Sequence, residues 1–207
     1  MAVNPYDRWL ALRVRGRRRR GGRLPESVAV VITERDLLEQ GAYDTLERFL
    51  RWAFDYGAER VAVSVSVLDE AVVPTIERAL GDVDAPRPLA VRGPGDTDPV
   101  EAPVHVNVGL GGKREFAAAT RALAHEVAAS EMDPEDVDGD AVEGRLVFPE
   151  EPDLLIKTGA ERLSDFMIWQ SVYSELYFTD VNWRDFRRRD YLRALLDYQS
   201  RQRRFGR

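Results

Sequence analysis

With 207 residues, 44% of them hydrophobic, the chain can bury one sizeable core, so a single compact domain is expected. Cysteine is absent, which excludes disulfides, thiolate zinc sites and thiol nucleophiles and fits a reducing cytoplasm, and the two histidines, His105 and His125, are too few and too far apart for a histidine metal cluster. The net charge of −6 is unevenly placed: residues 1–24 carry +7, residues 184–207 carry +6 and the body between them −19, with Lys113 and Lys157 the two lysines among 30 cations.

In chain order, residues 1–23 read as a basic tail, and residues 24–207 as the folded domain. In the tail, Trp9, Leu10, Leu12 and Val14 alternate with arginines, a pattern that suits an anionic membrane surface. No apolar run reaches the ~18 residues of a membrane span, so a cytoplasmic protein, peripheral at most, is expected. Strand-like runs follow at 28–32, 61–67, 89–92, 104–108, 154–157 and 176–178. Helical patterns lie between them at 43–56, 72–80 and 115–129. Ser164 and Asp165 can cap a further helix carrying Phe166, Trp169 and Tyr173, and a last helix runs from Asp190 to about Arg203. Strands alternating with helices of this length predict an α/β domain with a central, mostly parallel sheet flanked by helices.

Two loop segments invite site readings and fail them. The acidic stretch 133–140 does not match the EF-hand spacing, because Pro134 and Arg145 fall on ligand positions; it reads as an acidic turn with helix caps. Gly109-Leu-Gly-Gly-Lys-Arg-Glu115 is not a nucleotide phosphate loop, since Arg114 stands where Ser or Thr is needed and Asn107 where glycine is. Two readings stay open for it: a strand-to-helix turn, or a turn with a phosphate contact. The arginine clusters 17–20 and 187–189 have no aromatic platform or RNA-binding motif beside them, so nucleic acid is not an expected partner.

The strongest chemical cluster follows the run Leu154-Leu-Ile156. There Lys157, Arg162 and Ser164 gather two cations and a hydroxyl at a strand's carboxyl end and a helix start, the donors a diphosphate needs. A structural ion-pair network is the alternative.

This stretch, with Trp169-Gln170 and Ser174-Glu-Leu-Tyr-Phe-Thr-Asp180, resembles the carboxyl-terminal signature of the cis-prenyltransferases, the undecaprenyl and dehydrodolichyl diphosphate synthases. Arg204-Phe-Gly206 resembles the family's terminal Arg-x-Gly, and Gly111-Gly-Lys-Arg-Glu115 its Gly-Gly-Arg-x-Glu segment. The resemblance implies that Lys157, Arg162 and Ser164 bind isopentenyl diphosphate, that Arg204 and Gly206 complete a diphosphate site, and that Glu175 is the second metal-linked carboxylate. It also marks two losses. Ser27-Val-Ala-Val-Val-Ile32 matches the family's first strand, which runs into Asp-Gly-Asn, but here it runs into Thr33-Glu-Arg-Asp36. Thr33 takes the place of the magnesium-binding aspartate, and a neutral hydroxyl is a poor ligand for that hard cation. The segment between Asp69 and Val104 is also much shorter than the family's, removing helices that would wall an apolar tunnel for the growing chain.

The resemblance therefore implies a non-catalytic subunit of the Nogo-B receptor type. Its partner, a catalytic cis-prenyltransferase subunit making a long-chain dolichol- or undecaprenol-type diphosphate, would hold the Mg2+. Glu175 is then vestigial or shared with that partner. Two alternatives stand: a self-sufficient homodimer whose metal moves to Glu34 or Asp36, and a diphosphate- or lipid-binding module.

Overall fold

The computed structural model describes residues 4–96, 102–146, 151–159, 167 and 169–201. Arg162, Ser164, Arg204 and Gly206 lie outside the described residues. Six strands, β1 (Ser27–Thr33), β2 (Arg60–Ser66), β3 (Leu89–Arg92), β4 (Val104–Val108), β5 (Leu154–Thr158) and β6 (Glu175–Thr179), form one sheet in the order β3-β4-β2-β1-β5-β6. Every pairing is parallel. The strands read as continuous apolar runs because both faces of a parallel sheet are covered by crossover segments.

Seven helices accompany the sheet among the described residues: α1 (Pro5–Arg19), α2 (Glu34–Leu37), α3 (Ala42–Asp55), α4 (Val73–Gly81), α5 (Gly112–Ala128), α6 (Gly139–Glu143) and α7 (Arg188–Tyr198). One sheet face carries Val28, Val30, Ile32, Val61, Val63, Val65, Val104, Val106, Leu154 and Ile156, and it packs into a single core with the apolar stripes of α1, α3, α4 and α7. Phe49 of α3 meets Trp183, Phe186 and Tyr191 edge-on at centroid distances of 5.6, 6.1 and 5.6 Å. The Trp183 indole N–H donates to the Ala42 carbonyl at 3.1 Å, so the segment after β6 is pinned to the start of α3 with its buried donor satisfied. On the opposite face Ala29, Val31, Leu155 and Met167 form a second, small cluster.

Residues 5–19 are a docked helix rather than the basic tail expected of residues 1–23. Pro5 sits in the first turn and the Asn4 side chain accepts from the Tyr6 amide, so the helix starts at a capped end. Leu10, Ala11 and Val14 fall on one stripe and are buried. α1 packs on α7 through that stripe and three polar ties: Arg17 Nη1 donates to the Leu196 carbonyl at 2.6 Å, Gln199 Nε2 to the Val14 carbonyl at 3.3 Å, and Arg193 Nη2 to the Tyr6 hydroxyl at 3.4 Å. Of the four apolar residues assigned to a membrane surface, Leu10 and Val14 are therefore consumed by the core. The arginines hid this stripe, since three small or medium apolar residues among them barely raise local hydropathy.

The helix expected after Ser164 does not continue through Tyr173. Residues 169–173 are hydrogen-bonded turns, and Met167 has φ +28°, a conformation no right-handed helix contains. The acidic segment does form capped turns: Asp133 and Asp138 cap a 3-10 turn (Pro134–Asp136) and α6.

Candidate diphosphate site

The carboxyl ends of β1 and β5 lie side by side, with Val31 paired to Lys157, so Thr33 and Lys157 open onto the same end of the sheet. Ligands in open parallel sheets bind at this end because loops diverge there and helix amino termini point toward it. Lys157 is buried, and its ammonium donates to the Thr158 carbonyl at 2.9 Å. A buried ammonium is costly unless charge or hydrogen bonds compensate it, which marks Lys157 as a placed cation rather than a solvated one. Arg162 and Ser164, the other members of the expected cluster, lie outside the described residues.

Thr33 is the cap of α2. Its hydroxyl accepts the Asp36 amide at 3.1 Å and sits 2.8 Å from Asp36 Oδ2, and the Thr33 amide donates back to Oδ2 at 3.4 Å. This reciprocal pair is a capping box, which satisfies two otherwise orphaned helix donors. Glu34 is engaged as well, since its Oε2 accepts the amides of Leu68 and Asp69 at 2.9 and 3.3 Å. One oxygen of each neighbouring carboxylate, Asp36 Oδ2 and Glu34 Oε2, thus serves the chain's own backbone.

Glu175 is in a different place. It opens β6 opposite Leu154, which is itself level with Val28. Thr33 lies five residues further along β1, roughly 16 Å away in the strand direction. Within one chain, Glu175 and Thr33 cannot share an ion. Glu175 borders a cavity of about 230 Å3 that is also lined by Gly21, Gly22, Arg23, Tyr198, Gln199 and Arg201. Arg201 Nη1 stands 3.4 Å from its Oε2, a partly exposed contact worth under ~1 kcal/mol and so easily exchanged. No group of three His, Cys, Asp or Glu side chains fit to hold a metal occurs among the described residues.

The glycine segment makes a strand-to-helix turn. Gly109 has φ +74° with its amide bound to the Val65 carbonyl, and a Cβ there would meet Pro94 Cγ at 3.2 Å. Gly111 caps α5 and Lys113 is exposed. Glu115, buried beneath the turn, accepts from Gln170 Nε2 with both oxygens at 3.1 Å, tying α5 to the segment before β6.

Sequence reasoning passed over Arg92 and Asn107. They are neighbours in register on β3 and β4, both buried, and among the described residues Arg92 Nη1 and Asn107 Oδ1 have no hydrogen-bond partner. The available signal was a polar residue interrupting each short apolar strand.

Comparison with known proteins bears on the family and the fold. Residues 96–206 match the family described as putative undecaprenyl diphosphate synthase. The chain is 41% identical over 164 residues to a short-chain Z-isoprenyl diphosphate synthase of Mycobacterium leprae, covering 72% of this chain and 63% of that protein. It is 49% identical over 109 residues to a geranylgeranyl-diphosphate-specific tritrans,polycis-undecaprenyl-diphosphate synthase of Methanocaldococcus jannaschii, covering 50% of this chain and 39% of that protein. The chain thus spans 39% to 63% of the length of these two curated relatives. In fold it resembles lavandulyl diphosphate synthase of Lavandula x intermedia, solved with dimethylallyl diphosphate, at TM-score 0.74 and 24% identity over 89% of this chain and 99% of that one. A probable undecaprenyl diphosphate synthase of Campylobacter jejuni matches at TM-score 0.65 and 17% identity, over 89% of this chain and all of that one. With an all-parallel sheet of matching fold and a family match over more than half its length, the chain belongs to the undecaprenyl diphosphate synthase family of cis-prenyltransferases.

Proposed function

We propose that this chain is the non-catalytic subunit of a heteromeric cis-prenyltransferase that makes a long-chain polyprenyl diphosphate from isopentenyl diphosphate. The observation that carries the reading is Thr33. At the place of the metal-binding aspartate it is a helix cap locked to Asp36, and the neighbouring Glu34 is bound to backbone amides. Lys157, with Arg162 and Ser164, supplies donors for a diphosphate. Glu175, at the far end of the sheet from Thr33, is in this reading vestigial or shared with the partner's site, and Arg204 and Gly206 would act across an interface. Magnesium belongs to the partner in this reading. Co-purification from the native cell, followed by an isopentenyl-transfer assay of the chain alone and with whatever co-elutes, tests it: activity is expected only in the mixture, and turnover by the pure chain overturns it.

A second reading, a self-sufficient homodimer with its metal moved to Glu34 or Asp36, draws support from the relatives' names, which are those of synthases. Those names favour this reading more directly than the first. Under it, the pure chain makes a prenyl diphosphate with magnesium, and Glu34→Gln or Asp36→Asn abolishes the reaction.

A further inference from the structure

Helix α1 docks on α7 by one stripe and turns a second stripe outward. Trp9 and Leu12 are 48% and 66% exposed, on the side away from the buried Leu10, Ala11 and Val14, while Tyr6, 42% exposed, sits at the edge of that face, its hydroxyl accepting from Arg193 of α7 at 3.4 Å. Trp9 and Leu12 are three residues apart and share a helix face. Arg8 and Arg15, four before and three after Leu12, flank it on one side. Arg13 flanks Trp9 on the other, its guanidinium 4.8 Å from the indole centroid, and Tyr6 stacks on the same indole at 5.7 Å. An exposed apolar ridge between two rows of arginine is the layout of a helix lying in a lipid interface, rings among the acyl chains and guanidinium groups at the phosphates. Nucleic acid would demand no such ridge.

We propose that the outer face of α1 docks the protein onto an anionic lipid bilayer. Charge fixes the orientation. The first 24 residues carry +7 and the 184–207 segment, which includes the supporting helix α7, carries +6, whereas the body carries −19 and is repelled by the same surface. Attachment is interfacial, since among the described residues no helix is long and apolar enough to cross a membrane. The binding needs no diphosphate, so its test is independent of the prenyl-transfer reading.

The full chain is mixed with vesicles of phosphatidylcholine alone or of phosphatidylcholine with phosphatidylglycerol, sedimented, and followed by tryptophan emission. Sedimentation is expected with the anionic vesicles only, weakening with salt, with a blue shift that Trp9→Phe removes. Arg8→Gln with Arg15→Gln should lower the partition coefficient roughly thirtyfold, from about fivefold per cation. Trp9→Ala with Leu12→Ala should abolish the binding. All four positions are exposed, and an unchanged urea midpoint shows that the variants fold. Equal binding to neutral vesicles, no binding at all, binding indifferent to Trp9 and Leu12, or retention of single-stranded RNA in place of vesicles would each overturn the assignment.

Discussion

The hydroxyl of Thr33 lies 2.8 Å from Asp36 Oδ2 and accepts the Asp36 amide at 3.1 Å, so the turn after β1 is closed on itself. The position that the resemblance matches to a metal-binding aspartate is here part of a helix cap. Removing the hydroxyl should therefore be felt as lost stability: Thr33→Ala is expected to cost about 1 kcal/mol, the usual value of an N-cap. Urea unfolding of the isolated chain measures it. A variant as stable as the parent would mean that the cap is incidental and the hydroxyl is kept for another purpose.

Tyr191 is fully buried between Phe49 and Tyr56, and burial pushes its phenol well above the ordinary value of 10.0. The folded-state value exceeds the unfolded one, so the stabilising effect is complete below about pH 10 and is lost as pH rises beyond it. Tyr191→Phe should shift alkaline unfolding to higher pH, as followed by near-ultraviolet absorbance, provided the substitution leaves stability at neutral pH within about 1 kcal/mol. An unchanged alkaline midpoint would show that other groups govern that transition.

Phe116 stacks on Trp169 at 5.9 Å, and Phe116, Val172, Tyr173 and Phe178 are 44% to 65% exposed. An exposed apolar surface of this kind is expected to be an association face. Tyr177, the neighbour of Phe178 on β6, packs partly buried against the main core. Light scattering should show an assembly, alone or with a synthase partner, and Val172→Arg with Tyr173→Arg should dissociate it without unfolding the chain. A strict monomer under every condition counts against the face.

Gly206 lies outside the described residues, and its expected role is close backbone approach to a diphosphate in a partner's site, where a Cβ would intrude. Gly206→Ala should leave folding and assembly intact and lower the complex's turnover by a transition-state effect of ~2–4 kcal/mol, roughly 30- to 1000-fold. Equal rates for parent and variant heteromers would remove the tail from the active site.

Local chemistry alone determined much of this protein. Apolar runs of three to seven residues alternating with amphipathic segments specify buried parallel strands and crossover helices, and all six strands appear where those runs lie. The clustering of Lys157 with a strand's carboxyl end is local for the same reason, since a cation beside an apolar run is visible without knowing what faces it. Tertiary structure decided what depends on distant partners. Only the packing of α7 turned Leu10, Ala11 and Val14 from candidate lipid contacts into core, leaving Trp9 and Leu12 as the outward ridge. Only strand register placed Glu175 at the opposite end of the sheet from Thr33, because pairing between strands more than a hundred residues apart is set by the whole fold and not by either segment. And only three-dimensional contact showed Glu34 bound to the amides of Leu68 and Asp69, since a carboxylate's partners are chosen by proximity in space, which no spacing along the chain encodes.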